Sequence, residues 1–275
     1  MRHVATISWL TFHEAWRRRM VLLALILGLL FLVVYGIGFS LIIGTIDAEV
    51  SAMERRYGVN ALMMAGFYVV HFLTVMLAIF ASVDTIAGEI ATHTIQAIVT
   101  KPVRRWHVVL GKWLGYAAMI GLYLGLLAGG IVAIVALVAD YRPTNVLAGV
   151  ALLWLEALVL LALSLLAGSR LSTLSNGVLL FMLYGLAFIG AWVEQIGTLF
   201  NSRAAVNVGI VTSLFMPVEA LWRRAAYLMQ PPVMAAIPSP FGGISPPSEA
   251  MVAYALCYAA LALGLAMRVF GRRDL

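Results

Sequence analysis

The chain has 275 residues, 63% of them hydrophobic and only 11% charged, with a formal net charge of +6. Soluble domains carry about 25% charged and about 45–50% apolar residues, so an ordinary water-soluble enzyme is excluded, and the abundance of Leu, Val, Ile and Phe excludes a disordered or fibrous chain. The apolar runs are continuous rather than alternating, which selects an all-α polytopic membrane protein over a β-barrel.

The first element, residues 1–19, sets Trp9, Phe12 and Trp16 at helical spacing ahead of Arg17, Arg18 and Arg19. Aromatics on one face with arginines at the end suit a helix lying in the membrane interface. It is either an elbow that steers the first span or a plain basic flank that sets orientation. Crossing a bilayer takes about 20 apolar residues. Six runs reach or approach that length: 20–43, 61–81, 114–138, 146–166, 174–193 and 251–267. The first is long enough to span, so it does not read as a cleavable leader. The chain is expected to be one transmembrane domain over 1–275.

Between the second and third spans, residues 82–113 carry the most information. On a helical wheel with Glu89 at zero, His93, Gln96 and Thr100 fall within about 40° of it, while Ala87, Ile90, Ala91, Ile95 and Ile98 gather opposite. This predicts an amphipathic helix, ended near Lys101 by Pro102. Arg104, Arg105 and Lys112 follow, able to bind anionic headgroups or acidic groups of a partner. Such a helix exceeds what a membrane anchor needs, so a docking role is favoured.

His71 in span two is expected to be a packing histidine, since no further metal ligands stand at close spacing. Gly111, Gly115, Gly121, Gly125 and Gly129 recur every few residues along span three, a smooth stripe for close helix approach, within the chain or across a dimer. Glu156 in span four must pair, protonate or face water. It belongs either to a substrate path or dimer contact, or to hydrogen-bonded packing. Residues 194–250 hold seven of the nine prolines. Ala204 to Phe215 is too short to span and suits a re-entrant or interfacial helix. Leu214, Val218, Leu221, Trp222, Ala225 and Leu228 predict an interfacial helix capping the outer face, with Pro217 in its first turn and Glu219 four residues before Arg223.

Six spans put both termini on one side. That side holds Arg2, Arg17, Arg18, Arg19, Lys101, Arg104, Arg105, Lys112, Arg170, Arg268, Arg272 and Arg273. The other holds Arg55, Arg56, Arg142, Arg203, Arg223 and Arg224. Basic residues favour the cytoplasm, so both termini are expected there. The single cysteine, Cys257, allows no intrachain disulfide.

Gly88-Glu89, His93-Thr94-Ile95, Lys101-Pro102-Val103, Arg105 and Gly111-Lys112 stand in an order that resembles the type-2 class of ABC exporter permeases. So do the start, Thr11 to Arg18, and the tail, Phe270 to Leu275. His93 stands where that family usually has Gly, and Arg104 where it often has Ser. The resemblance implies that the segment around Glu89, His93, Thr94, Lys101, Pro102, Arg104 and Arg105 is a cytoplasmic coupling element. It implies two copies of a separate ATPase subunit carrying the ATP and Mg, a second permease chain as a homodimer, and residence in a bacterial inner membrane. It also implies outer re-entrant or gate elements between spans five and six. No G-x-x-x-x-G-K-[ST] phosphate loop occurs, since Gly111-Lys112 is followed by Trp113, so hydrolysis is expected from a partner. No cofactor, metal or nucleic acid is expected on this chain. The alternatives are an ATP-independent secondary carrier, which would want paired intramembrane charges and internal repeats, and a non-transporting membrane anchor of a complex.

Overall fold

The first helix, α1 (Arg2–Arg17), ends where Arg18 turns extended at φ −69°, ψ 133°, and α2 (Arg19–Gly44) begins at once. The structure, a computed structural model, describes residues 2–45, 51–91, 104–231 and 247–273. Ser51 opens α3 (Ala52–Ser82) with a capping box, its hydroxyl accepting from the Glu54 amide while the Glu54 carboxylate accepts from the Ser51 amide. This satisfies two orphan donors of the first turn. After the single helical residue Val83 the chain continues into α4 (Asp84–Ala91). Then come α5 (Arg105–Ala139), α6 (Val146–Gly168), α7 (Thr173–Leu199), α8 (Arg203–Phe215), α9 (Val218–Met229) and α10 (Glu249–Gly271). Asp140, Asn145 and Asn201 turn the chain with positive φ, a region that short Asx side chains tolerate.

Of the described residues 89% are helical and none lies in a strand. Among the described residues, six helices are long and apolar enough to cross a membrane, α2, the combined α3–α4, α5, α6, α7 and α10, and the bent pair α8–α9 passes the same test only when taken together. The all-α, six-span architecture thus matches the expectation. The second and third spans, α3 and α5, begin earlier than hydropathy predicts, at Ala52 rather than 61 and at Arg105 rather than 114.

Within lipid, apolar burial drives helix association weakly, so close packing and polar ties must hold the bundle. The central helix is α6, which packs on α3, α5, α9 and α10. Phe67, Met63 and Met64 of α3, Tyr116 and Ile120 of α5, and Trp222 of α9 form the buried centre around it. In contrast, α2 turns Leu23, Ile26, Val33, Val34 and Leu41 outward.

The glycine stripe on α5 is divided rather than continuous. A Cβ on Gly111 would stand 2.7 Å from Ile7, and one on Gly115 would stand 2.7 Å from the Ser8 carbonyl, so these two glycines seat α1 against α5. Gly121 faces the Trp154 ring, while Gly125 and Gly129 have nothing within 4 Å.

The segment after α7 forms short helices, as expected, but as a sharply bent pair rather than one continuous interfacial helix from Leu214. The periodic run from Leu214 to Leu228 is broken at Met216 and Pro217, and α8 and α9 meet at 104°. Leu214 is exposed, but Val218, Leu221, Trp222 and Ala225 are buried, and so are Glu219 and Arg223. An interfacial helix keeps its polar face in water. Here the polar face of α9 has partners inside the bundle, so the helix is buried on both sides.

Candidate functional site

Two constellations of polar side chains stand out. The first gathers at the end of the bundle shared by α1, α4, the start of α5, the α6–α7 turn and the end of α10. Its centre is Lys112, placed by α5 one turn before Tyr116 and only 4% exposed. Its ammonium donates to the Glu89 carboxylate of α4 and, at 3.3 Å, to the Thr85 carbonyl. The ordering Gly88-Glu89 has a steric reason as well. A Cβ at residue 88 would lie 2.0 Å from Asp84 Oδ1, and Asp84 uses its carboxylate elsewhere. It accepts a 3.1 Å bond from the Thr173 hydroxyl at the start of α7 and stands 3.6 Å from Arg18. Arg18 is held at 2.8 Å by Glu14 of α1. Partial burial works against the Arg18 charge, but Tyr116, Glu14 and Asp84 outweigh it and hold the guanidinium above its ordinary pKa.

Asn176 of α7 completes the arrangement. Buried, it donates to the Val83 carbonyl at 3.2 Å, just before α4, and to the Ser164 carbonyl of α6 at 3.1 Å. The side chain also reaches the C-terminal turn of α6, where a Cβ on Gly168 would stand 2.9 Å from its Nδ2. Arg105 donates to the Gly271 carbonyl at 3.5 Å and to that of Arg273, and Arg273 donates to the Ser169 carbonyl. The C-terminal segment is thereby tied to both α5 and the end of α6.

Of the residues predicted to form a coupling element, Glu89, Arg104 and Arg105 are described; His93, Thr94, Lys101 and Pro102 lie outside the described residues. Arg104 is exposed at the start of α5. Lys112, read from sequence as an outward-facing base, is instead a buried strut. The reach of its stem along α5 brings the ammonium under α4, where Glu89 neutralises it. Among the predicted interfacial anchors, Trp9, Trp16, Arg17 and Arg19 are exposed, Arg18 is half-buried, and Phe12 packs against the core with its ring stacked on Trp16. Arg18, Arg19, Asp84 and Thr173 are the polar lining of an open cavity of about 730 Å³ whose other wall residues, including Phe80, Val178, Phe181 and Met182, are apolar.

The second constellation lies inside the bundle. Glu156, singled out from sequence, is 1% exposed and sits 2.9 Å from His71 Nδ1. The other ring nitrogen of His71 stands 3.5 Å from the Tyr184 hydroxyl of α7 and 3.7 Å from the Glu219 carboxylate of α9. Trp222 stacks on the imidazole at 4.9 Å. The four-residue spacing of Glu219 and Arg223 does not make them a pair. Arg223 turns to α7 and grips both carboxylate oxygens of Glu194 at 2.8 Å. Among the described residues no group of His, Cys, Asp and Glu has the geometry of a metal site.

A family model described as ABC-2 family transporter protein matches residues 5–275. No curated protein sequence matches the chain. With six helices able to span a membrane and a family match over nearly its whole length, the chain belongs to the ABC-2 transporter permease family, as a multi-pass membrane subunit.

Proposed function

We propose that this chain forms the translocation path of an ATP-driven exporter and takes its energy from a separate ABC ATPase bound at the α4 end of the bundle. The observation that carries this reading is the set of ties on α4. Lys112 links it to α5 through Glu89, and Arg18 links it to the α1–α2 junction through Asp84. Thr173 and Asn176 link it to α7, and Asn176 reaches α6 as well. A displacement of α4 is therefore passed to the first, third, fourth and fifth spans together, which is what a coupling helix has to do.

In this reading the α4 end is cytoplasmic, because it carries the exposed arginines of α1, Arg104, Arg170 and the C-terminal segment. Arg104 and the segment from Glu89 to Arg105 meet the ATPase, with His93, Thr94, Lys101 and Pro102 contributing as the family resemblance implies. Two ATPase copies carry ATP and Mg, two permease chains pair as a homodimer, and α1 lies in the cytoplasmic interface of a bacterial inner membrane. The permease chain itself holds no cofactor.

Co-purification tests the reading. A tagged chain isolated from its own host in nanodiscs should retain an ATPase subunit in equal copy number. A permease that is folded yet never retains a nucleotide-binding subunit overturns the proposal. The outcome favouring a secondary carrier would be transport by the chain alone, driven by an ion gradient.

A further inference from the structure

The His71 cluster has a charge problem that the fold leaves open. His71, Glu156 and Glu219 come from α3, α6 and α9, and their side chains are 1%, 1% and 6% exposed. If the imidazole is neutral and both carboxylates are ionised, two negative charges are buried on two sides of one ring. A buried carboxylate left in that state is strongly unfavourable. The nearest cation, Arg223, is already paired through both terminal nitrogens with Glu194, so its single charge offsets only part of the three carboxylates around it. The other titratable groups around the ring, Tyr68 of α3 and Tyr184 of α7, are phenols and bring no positive charge.

Two details say what would relieve it. Glu156 Oε1 and Glu219 Oε2 are buried oxygens with no hydrogen-bond partner. The gap from His71 Nε2 to Glu219 Oε2 is 3.7 Å, an ion-pair distance but too long for a hydrogen bond. Nδ1 is already engaged with Glu156 at 2.9 Å. A proton on Nε2 makes an imidazolium between two carboxylates, and a proton on either carboxyl relieves the remaining charge.

We propose that His71, Glu156 and Glu219 form a buried proton-binding site whose occupancy holds α9 inside the bundle. Among the described residues, the polar ties on the stretch from α9 to Gln230 are Glu219 to His71, Arg223 to Glu194 and Ser213, Arg224 to Glu249 and the Pro247 carbonyl, and Gln230 to Asn60. Of these, only the Glu219–His71 tie runs through an imidazole, the side chain that gains or loses a proton closest to neutral pH. With the proton bound, Glu219 is attracted to the ring. When it is lost as pH rises, Glu156 and Glu219 repel across a neutral ring, and moving α9 outward lets water reach Glu219. The retracted α9 is therefore the protonated form. The inference holds whether or not an ATPase binds the other end.

The test is thiol accessibility in the full chain in lipid nanodiscs. Cys257→Ser removes the exposed native thiol, and Ala226→Cys places a reporter on the buried face of α9. Maleimide labelling is followed from about pH 5.5 to about pH 8.5, with rates divided by those of a small cysteine-containing peptide in the same buffers to remove the thiol's own ionisation. The corrected rate should rise with pH, at up to roughly tenfold per pH unit, the slope of one proton. Glu219→Gln, an amide of the same size that cannot ionise, should stay slow throughout. A flat corrected profile in the reporter chain overturns the proposal, as does a Glu219→Gln variant that keeps the rise. Should Glu219→Gln fail to accumulate, hydrogen exchange of residues 218–229 in the unsubstituted chain decides instead. Protection that falls with pH beyond the intrinsic chemical rate supports the site, and unchanged protection overturns it.

Discussion

Glu89→Gln is the substitution that separates what Glu89 does inside the chain from what it does toward a partner. The amide keeps the shape of the side chain and an oxygen that can accept, but it leaves the Lys112 ammonium, whose side chain is 5% exposed, without a counter-charge. Stranding one member of a buried ion pair costs about 3–5 kcal/mol. Because the Glu89 side chain is 16% exposed and admits some water, the lower end, about 3 kcal/mol, is expected. Lys112→Met leaves a carboxylate that can turn toward that water, so its cost should be smaller, about 1–2 kcal/mol. The double variant strands no charge and should cost no more than about 1 kcal/mol relative to the parent, a coupling energy of about 4 kcal/mol. Reversible unfolding by SDS titration in mixed micelles, read by far-ultraviolet circular dichroism, measures all four corners of this cycle. Additivity within about 0.5 kcal/mol would refute the buried-strut account. The cycle also fixes how docking should be tested. A Glu89 variant that loses its partner has also lost a structural tie. Arg104 is exposed and has no ion pair among the described residues. Charge reversal there should weaken partner binding while leaving the unfolding midpoint unchanged.

Three further substitutions test other parts of the packing. Gly115→Leu places a Cβ 2.7 Å from the Ser8 carbonyl and 2.8 Å from Thr11. It should cost about 1–3 kcal/mol and speed limited proteolysis within residues 2–17, whereas Gly125→Leu, with nothing within 4 Å, should do neither in the single chain. Asn176→Leu removes both donations, to Val83 and Ser164. At about 0.6–1.7 kcal/mol for each interhelical bond, it should destabilise by about 1–3 kcal/mol, and hydrogen exchange should quicken at residues 83–88. Arg105→Ala should release the C-terminal segment, with faster carboxypeptidase digestion up to residue 271 and less than about 1 kcal/mol of destabilisation.

The spans were legible in the sequence because a helix in lipid must satisfy its backbone internally and be apolar for about 20 residues. Their starts were less legible. Glu54, Arg55 and Arg56 depress hydropathy in the first turns of α3, yet Ser51 and Glu54 spell out a capping box that marks the true start. The same composition rule that found the spans flagged His71 and Glu156 as isolated oddities. Their meeting with each other, 85 positions apart, and with Glu219 on a third helix depends on packing that no helical period encodes. The Lys112–Glu89 pair was hidden for the same reason. Positive-inside counting treats every lysine as a surface charge, and only the fold shows one reaching inward to a carboxylate 23 residues away. The i, i+4 rule failed at Glu219 and Arg223 because it holds for exposed helix faces, and α9 is enclosed by α3, α6 and α7, which offer nearer partners.

The claim on which the account turns is that the α4 end receives an ATPase. A photo-crosslinking amino acid at position 104, with another at Arg142 on the opposite end as a control, tests this in the native host. An adduct with a nucleotide-binding subunit is expected from position 104 and none from position 142. An adduct from position 142 alone, or none from position 104 in a chain that is folded and inserted, would contradict it.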